Sequence, residues 1–409
     1  MTTLREDANE IVRRAVQSVL PDAAVRRALA GRAFPGGRVY VVAAGKAAWQ
    51  MARAASEALG ERIAAGVVCT KYGHAMGPLP RMTCYEGGHP VPDENSFRGT
   101  RAALGLVEDL GPQDTVVFLL SGGGSALFEL PRIPGEELQD ITRQLLACGA
   151  DIVEMNTVRK RLSDVKGGRF AQRCAPARVF AVVLSDILGD PLDMIASGPA
   201  CPDASTCADA LRVAEKYGLK LSDRARALLG EETPKRLDNV ETVVTGSVSE
   251  LCRAAARACE ELGYATVLLT DRLCCQAREA GSFMAGIAAT HAGQGRQAFV
   301  AGGETTVVVT GTGKGGRNQE LALAGCVGLS GLKEAALFSV GSDGTDGPTD
   351  AAGGYVDATT LERLRAAGID PWAALQDNDA YRALRAVDGL IMTGPTGTNV
   401  NDVAVLLLR

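Results

Sequence analysis

Histidine and tryptophan are scarce in this 409-residue chain, with three and two copies, and aromatic residues make up only 4% of it. Eleven cysteines are scattered without a single CxxC pair, which with so few histidines argues against a zinc site. No apolar run is long enough to span a bilayer. The opening MTTLREDANEIVRRAVQSVL reads as an amphipathic helix rather than a signal peptide, and with the odd cysteine count it points to a reducing compartment, the cytoplasm. A large positive field is missing as well. The net charge of -5 and pI near 5.5 argue against nucleic acid or an anionic membrane as partner. Both common phosphate fingerprints are absent: no glycine loop carries the Walker lysine and hydroxyl, and no GxGxxG follows the first strand.

What the chain does have is glycine, 48 copies of it, much of it clustered, as tight turns and close backbone approaches require. With 46% hydrophobic and 22% charged residues the composition is that of a globular protein, and the length predicts two domains. Strands are expected at Val39 to Ala43, Ile63 to Thr70, Asp114 to Leu120 and Val179 to Ser185, each followed by a loop and a helical stretch. That repetition implies a mostly parallel sheet with ligands at the carboxyl ends of its strands. After a charged helical segment at 203–236, new strands are expected at Val243 to Gly246, Ala265 to Thr270, Gln297 to Val300, Thr305 to Val309, Ala336 to Gly341 and Val403 to Leu408. The boundary is therefore set near 235, giving domains 1–235 and 236–409, both α/β, with a cleft between them for the active site. The N-terminal helix fits either one.

The loops carry the candidate chemistry. In LLSGGGSAL, 119–127, an apolar strand delivers Ser121, Gly122, Gly123, Gly124 and Ser125 to the start of a helix, where backbone N–H groups can surround a phosphate; a plain turn is the alternative. Lys46, after Gly45 at the end of the first strand, puts an ammonium at the sheet's carboxyl edge, or into solvent. In SDILGDPLDMIASGP, 185–199, Asp186, Asp190 and Asp193 suit Mg2+, one of them could take a hydroxyl proton, and capping is the ordinary use of such residues. The segment 154–168 carries Arg159, Lys160 and Lys166, either toward the cleft or as a solvated face. In GTGKGGRNQE, Lys314, Arg317 and Asn318 offer cationic and amide donors. Asp343, Asp346 and Asp350 alternate with glycine but lack the glutamate of a calcium loop. His89, in YEGGHPVPDENS, is tempting as a base, though a structural histidine is commoner.

Taken together, AAGKAA at 43–48, GGHPVPDENS at 87–96, LLSGGGSAL, NTVRKRLSDVKGG at 156–168, SDILGDPLDMIASGP, GGRNQELALA at 315–324 and SDGTDGPTDAAG at 342–353 resemble the class II glycerate 2-kinases, whose C-terminal part is called the MOFRL domain and which are often labelled as hydroxypyruvate reductases. The resemblance runs over nearly the whole chain; Arg161 departs from it, where relatives usually carry histidine. It implies a Rossmann-like first domain and a smaller MOFRL-type second domain. It also implies ATP-dependent phosphorylation of D-glycerate at its 2-hydroxyl, giving 2-phosphoglycerate and ADP with Mg2+ or another divalent cation. Lys46 and Arg317 are then expected at the substrate, with Asp186 as a further catalytic group. Ser121 to Ser125, Lys166 and Asn318 would face the nucleotide, and Asp186 and Asp190 the metal. Homo-oligomers are left open. An NAD(P)H-dependent hydroxypyruvate reductase and a non-catalytic nucleotide-binding protein are the alternatives; the first lacks its fingerprint in AAGKAA.

Overall fold

The structure, a computed structural model, describes residues 3–34, 36–185, 187, 189 and 191–409. They fall into two compact units, one holding residues 21–185 and 191–245, the other 3–20, 187, 189 and 246–409. Each has its own six-stranded sheet. In the first, the strands are β1 (Val39–Ala44), β2 (Ile63–Lys71), β3 (Met82–Gly87), β4 (Thr115–Leu120), β5 (Arg178–Leu184) and β6 (Val240–Gly246), in the order β3-β2-β1-β4-β5-β6. The first five run parallel. The sequence says why: VYVVAA and TVVFLL are apolar at every position but the leading Thr115 and buried along their whole length, as strands covered on both faces must be.

The second sheet is mixed. Its strands are β7 (Ala265–Leu273), β8 (Gln297–Gly303), β9 (Ala335–Gly341), β10 (Gly353–Asp357), β11 (Leu390–Ile391) and β12 (Asp402–Leu408), in the order β11-β10-β9-β12-β8-β7. Only β7 and β8 pair parallel; β12 lies antiparallel between β8 and β9. The units do not follow a single cut near residue 235. Val243 to Gly246 belongs to the last strand of the first sheet, and the Leu4–Ser18 helix packs in the second unit, laying Ala8, Ile11, Val12 and Ala15 against Leu251, Phe338 and Val405. Thr305 to Val309 is not a strand. Only Thr306 makes a β-bridge, to Gln276, and Val309 is 76% exposed; a β-branched run without a neighbouring strand has nothing to pair with.

Two buried charges hold the loops that matter below. Lys166 and Glu129 are both fully buried and form an ion pair at 2.9 Å. The Lys166 ammonium also donates to the Ser125 and Phe128 carbonyls, while the Glu129 carboxylate has no other partner among the described residues. In the same unit, the rings of Phe118, Phe128 and Phe170 pack within 5.6 Å of one another, centroid to centroid. In the second unit, the Arg317–Leu329 helix has no capping side chain of its own. Asp346, 3% exposed, supplies the cap from a loop, its carboxylate accepting from the backbone N–H of Asn318 and Gln319 at 3.1 and 2.9 Å. Burial outweighs these bonds and pushes Asp346 up from 3.8 to about 6.

Replacing Lys166 by Met leaves a carboxylate buried without a counterion, and is expected to destabilise the protein by about 3–5 kcal/mol; a chemical denaturation curve close to the parent's would refute this. Asp346 gives a pH-dependent signature. Between its ordinary value and about 6 the folded state keeps a proton that the unfolded state has released, so its contribution is full at low pH and is lost as the pH rises. Relative to Asp346→Asn, the parent should lose about 2–3 kcal/mol of unfolding free energy between about pH 4 and pH 7. Parallel stability curves for the two proteins would show that the carboxyl is not shifted.

Candidate active site

Strands β1 and β4 are neighbours in the parallel sheet, so the loops that leave them emerge side by side at one edge. Hydrogen bonds lock the two loops together. Ser121 N–H donates to the Ala44 carbonyl at 2.9 Å, Lys46 N–H to the Gly122 carbonyl at 2.9 Å, and Ala47 N–H to the Ser121 hydroxyl oxygen at 3.1 Å. Gly45, at φ 118°, passes so close that a β-carbon there would lie 2.4 Å from the Ser121 carbonyl oxygen. Only glycine satisfies both that backbone angle and that approach. Lys46 itself is exposed and its ammonium has no carboxylate partner among the described residues.

At Gly123, φ 84°, a β-carbon would meet the Lys46 stem at 3.1 Å and the His89 ring at 3.1 and 3.2 Å. The structure thus brings together Lys46, the glycine loop and His89, the residue that sequence left undecided. Burial first, then the charges of Lys46, Lys71 and His74, hold the His89 imidazole below the usual histidine range. Lys46 and the His89 ring thus meet over a glycine with no side chain, a setting that suits an anionic ligand.

The helix after the loop is a single turn, Gly124–Leu127, so its dipole is weak, and the donors the loop can offer an anion are its backbone N–H groups. Lys166 does not face this space. Its ammonium is buried and committed to Glu129 and to the carbonyls behind the loop, which corrects its expected place at the nucleotide. Nor is 154–168 a solvated basic face. Lys160 is 3% exposed and bridges Asp193 and Asp203 at 3.3 and 3.1 Å. Arg161 is fully buried, donating to the Thr157 and Ser205 carbonyls and pairing with Glu232.

In the second unit a cavity of about 830 Å3 is lined by Glu304, Gly316, Arg317, Glu320, Asp343 and Asp346, among others. Arg317 opens the helix below it and is held by three of its five N–H donors: Nε and one amino group reach Asp402 at 2.6 and 3.1 Å, and the other reaches Glu304 at 2.8 Å. Burial opposes its charge, but the bond and charge of Asp402, with Glu304 and Asp346, keep it well above the usual arginine range. Asn318 is corrected in the same way as Lys166. At 1% exposure its amide serves Asp346 and accepts from Ser339 at 2.5 Å, so it braces the helix start instead of meeting a nucleotide.

Asp186 and Asp190, expected at the metal, lie outside the described residues. Among the described residues no group of three or more His, Cys, Asp or Glu is placed to hold a metal ion. That is compatible with Mg2+, which is commonly held by one or two carboxylates together with phosphate oxygens and water. Asp350 accepts from the Tyr381 hydroxyl at 2.7 Å, a contact to a helix distant in sequence, and Asp343 from the Thr345 N–H at 2.9 Å, an ordinary turn contact. Glu129 and Asp402 were missed in the sequence. Glu129 lies two residues past LLSGGGSAL and Asp402 in the polar, glycine-containing stretch 393–405, but only the folded chain reveals the cation each neutralises.

The glycine loop and the Arg317 helix fall within two family models. One, described as a domain of unknown function (DUF4147), matches residues 7–230, and the MOFRL family model matches 297–402. A D-glycerate 2-kinase of Thermotoga maritima is 52% identical over 99% of this chain and 99% of its own; a glycerate 2-kinase of Pyrococcus horikoshii is 44% identical over 91% of this chain and 88% of its own. The crystal structure of a glycerate kinase from Thermotoga maritima superposes with a TM-score of 0.96 at 52% identity, covering 99% of both chains. The chain belongs to the glycerate kinase family built from a DUF4147 domain followed by a MOFRL domain.

Proposed function

We propose that the protein transfers the γ-phosphoryl group of ATP to the 2-hydroxyl of D-glycerate, releasing 2-phosphoglycerate and ADP. The observation that carries this reading is the interlock of the loops after β1 and β4, which lays the stem of Lys46, a cation with no carboxylate partner among the described residues, against Gly123 in a glycine-rich loop. Full-length similarity to proteins named as glycerate 2-kinases supports the choice of substrate.

In this reading the N–H groups of Gly122 to Ser125 receive phosphate oxygens, the Ser121 N–H being held by Ala44, and Lys46 offsets charge on the group in transfer. Arg317, with two donors left after its bonds to Asp402 and Glu304, serves the substrate side. A divalent cation, assigned to Asp186 or Asp190, would neutralise phosphate oxygens when bound, and Asp186 is also the candidate to accept the hydroxyl proton. Catalysis then rests on positioning and electrostatics, as phosphoryl transfer usually does. No helix among the described residues is long and apolar enough to cross a membrane, and we place the enzyme in the cytoplasm.

An assay with ATP, Mg2+ and D-glycerate, coupled to ADP release and read by enolase for the product's position, is expected to give glycerate-dependent ADP and an enolase-competent product. NADH oxidation by hydroxypyruvate without that turnover would replace the kinase by a reductase. Lys46→Ala should lower kcat by about 100-fold or more, the scale of a lost charge-stabilising donor, with an unchanged melting temperature because the side chain is exposed and unpaired; near-parent kcat would remove Lys46 from the reaction. With only three histidines, His89 can be followed by NMR. Its pKa is expected below the usual range in the free protein and to rise when ADP binds, since a nearby anion favours the imidazolium; a value indifferent to ADP would move the phosphate elsewhere.

A further inference from the structure

The segment NTVRKRLSDVKGG carries four cations, and three of them are neutralised inside the fold: Lys160 by Asp193 and Asp203, Arg161 by Asp203 and Glu232, and Lys166 by Glu129. Arg159 is the exception. It lies in the last turn of the Ile152–Arg161 helix and is half-buried, yet it has no carboxylate partner among the described residues. Its Nε is buried without any hydrogen-bond partner. Its guanidinium meets the protein through one long bond, from an amino group to the Ser125 carbonyl at 3.4 Å, at the end of the glycine loop whose Gly123 lies against Lys46 and His89. Folding has taken much of the solvent from this cation and supplied no anion in return, which is costly unless a ligand completes the arrangement.

Resting on the kinase reading, we infer that Arg159 is a substrate-binding residue, whose guanidinium holds an oxyanion brought to the Ser121–Ser125 loop. A planar fork with free donors suits paired oxygens better than a lysine would. In the proposed reaction two groups offer that chemistry, the phosphate chain of the nucleotide and the carboxylate of glycerate. The buried ion pair of Lys166 and Glu129 fixes the carbonyls of Ser125 and Phe128, so the loop is held in place independently of Arg159 and a ligand role can be separated from a structural one.

The test measures binding directly by calorimetry, with ADP and D-glycerate as separate probes, on the full chain carrying Arg159→Met, which keeps the aliphatic stem, and on Arg159→Lys, which keeps the charge. Arg159→Met should weaken one of the two probes by about 10- to 100-fold, the range of a hydrogen bond to a charged group, at an unchanged melting temperature, and Arg159→Lys should recover part of the loss. A loss confined to ADP assigns the phosphate chain and a loss confined to D-glycerate assigns the carboxylate. Parent-like affinity for both probes overturns the inference. So does a drop in melting temperature that Arg159→Lys repairs together with binding, which would make the residue a prop of the loop. A parent that binds ADP through Arg159 but does not phosphorylate glycerate would overturn the kinase reading and leave this one standing.

Discussion

Between β1 and β4, the hydrogen bonds from Ser121, Lys46 and Ala47 tie two loops that are 75 residues apart, as the difference between 46 and 121 shows, into one surface. The candidate site of the first unit depends on this tie. It fixes the Lys46 backbone and leaves its side chain free, it requires glycine at 45, and it turns Gly123 toward the His89 ring. The parallel sheet makes the tie available, because adjacent parallel strands end at the same edge, and uninterrupted apolar runs are what make those strands parallel and central. A local rule of burial therefore reaches the chemistry in few steps.

The same units show two ways of treating a charge at the start of a glycine-led segment. In the second unit the Arg317–Leu329 helix begins against the Asp346 carboxylate, which takes the two backbone N–H groups an external anion would otherwise take. In the first unit the Ser121 N–H is taken by the Ala44 carbonyl, but among the described residues no carboxylate meets the N–H groups of Gly122 to Ser125, and Lys46 and Arg159 have no carboxylate partner. Among the described residues, then, an acidic side chain closes the helix start of the second unit and none closes the loop of the first. Their sequences, GGRNQE and SGGGSAL, do not reveal that difference, since the closing residue lies 29 positions beyond Arg317.

Much of the organisation was legible in the sequence because it rests on short-range patterns. VYVVAA and TVVFLL declare buried strands, and the glycines at 45 and 122–124 declare the turns that follow. The misreadings share one physical cause. Thr305 to Val309 has a strand's composition and lacks a neighbour, and Val243 to Gly246 has a neighbour in the earlier sheet, a choice made by packing and not by propensity. Lys166 and Asn318 looked like ligands because their residue types suit phosphate; their roles are decided by Glu129 and Asp346, and no local pattern shows which residue either one pairs with. His89 was visible only as a rare residue, and its significance lies in what surrounds Gly123.

Buried cations give this enzyme fold a test that residue type alone does not. A lysine or arginine removed from water is held by an internal carboxylate, as Lys160, Arg161 and Lys166 are, or it awaits one from outside. The internal pairs explain why the NTVRKRLSDVKGG segment can be so basic and yet lie within the structure: Asp203 alone receives Lys160, Ser205 and Thr233. That arrangement also accommodates Arg161, whose guanidinium finds backbone carbonyls and Glu232 where a smaller imidazole would reach fewer of them. The one cation left over in the segment stands at the glycine loop. Charge balance inside the fold thus singles out Arg159 as the cation of this segment without an internal carboxylate among the described residues.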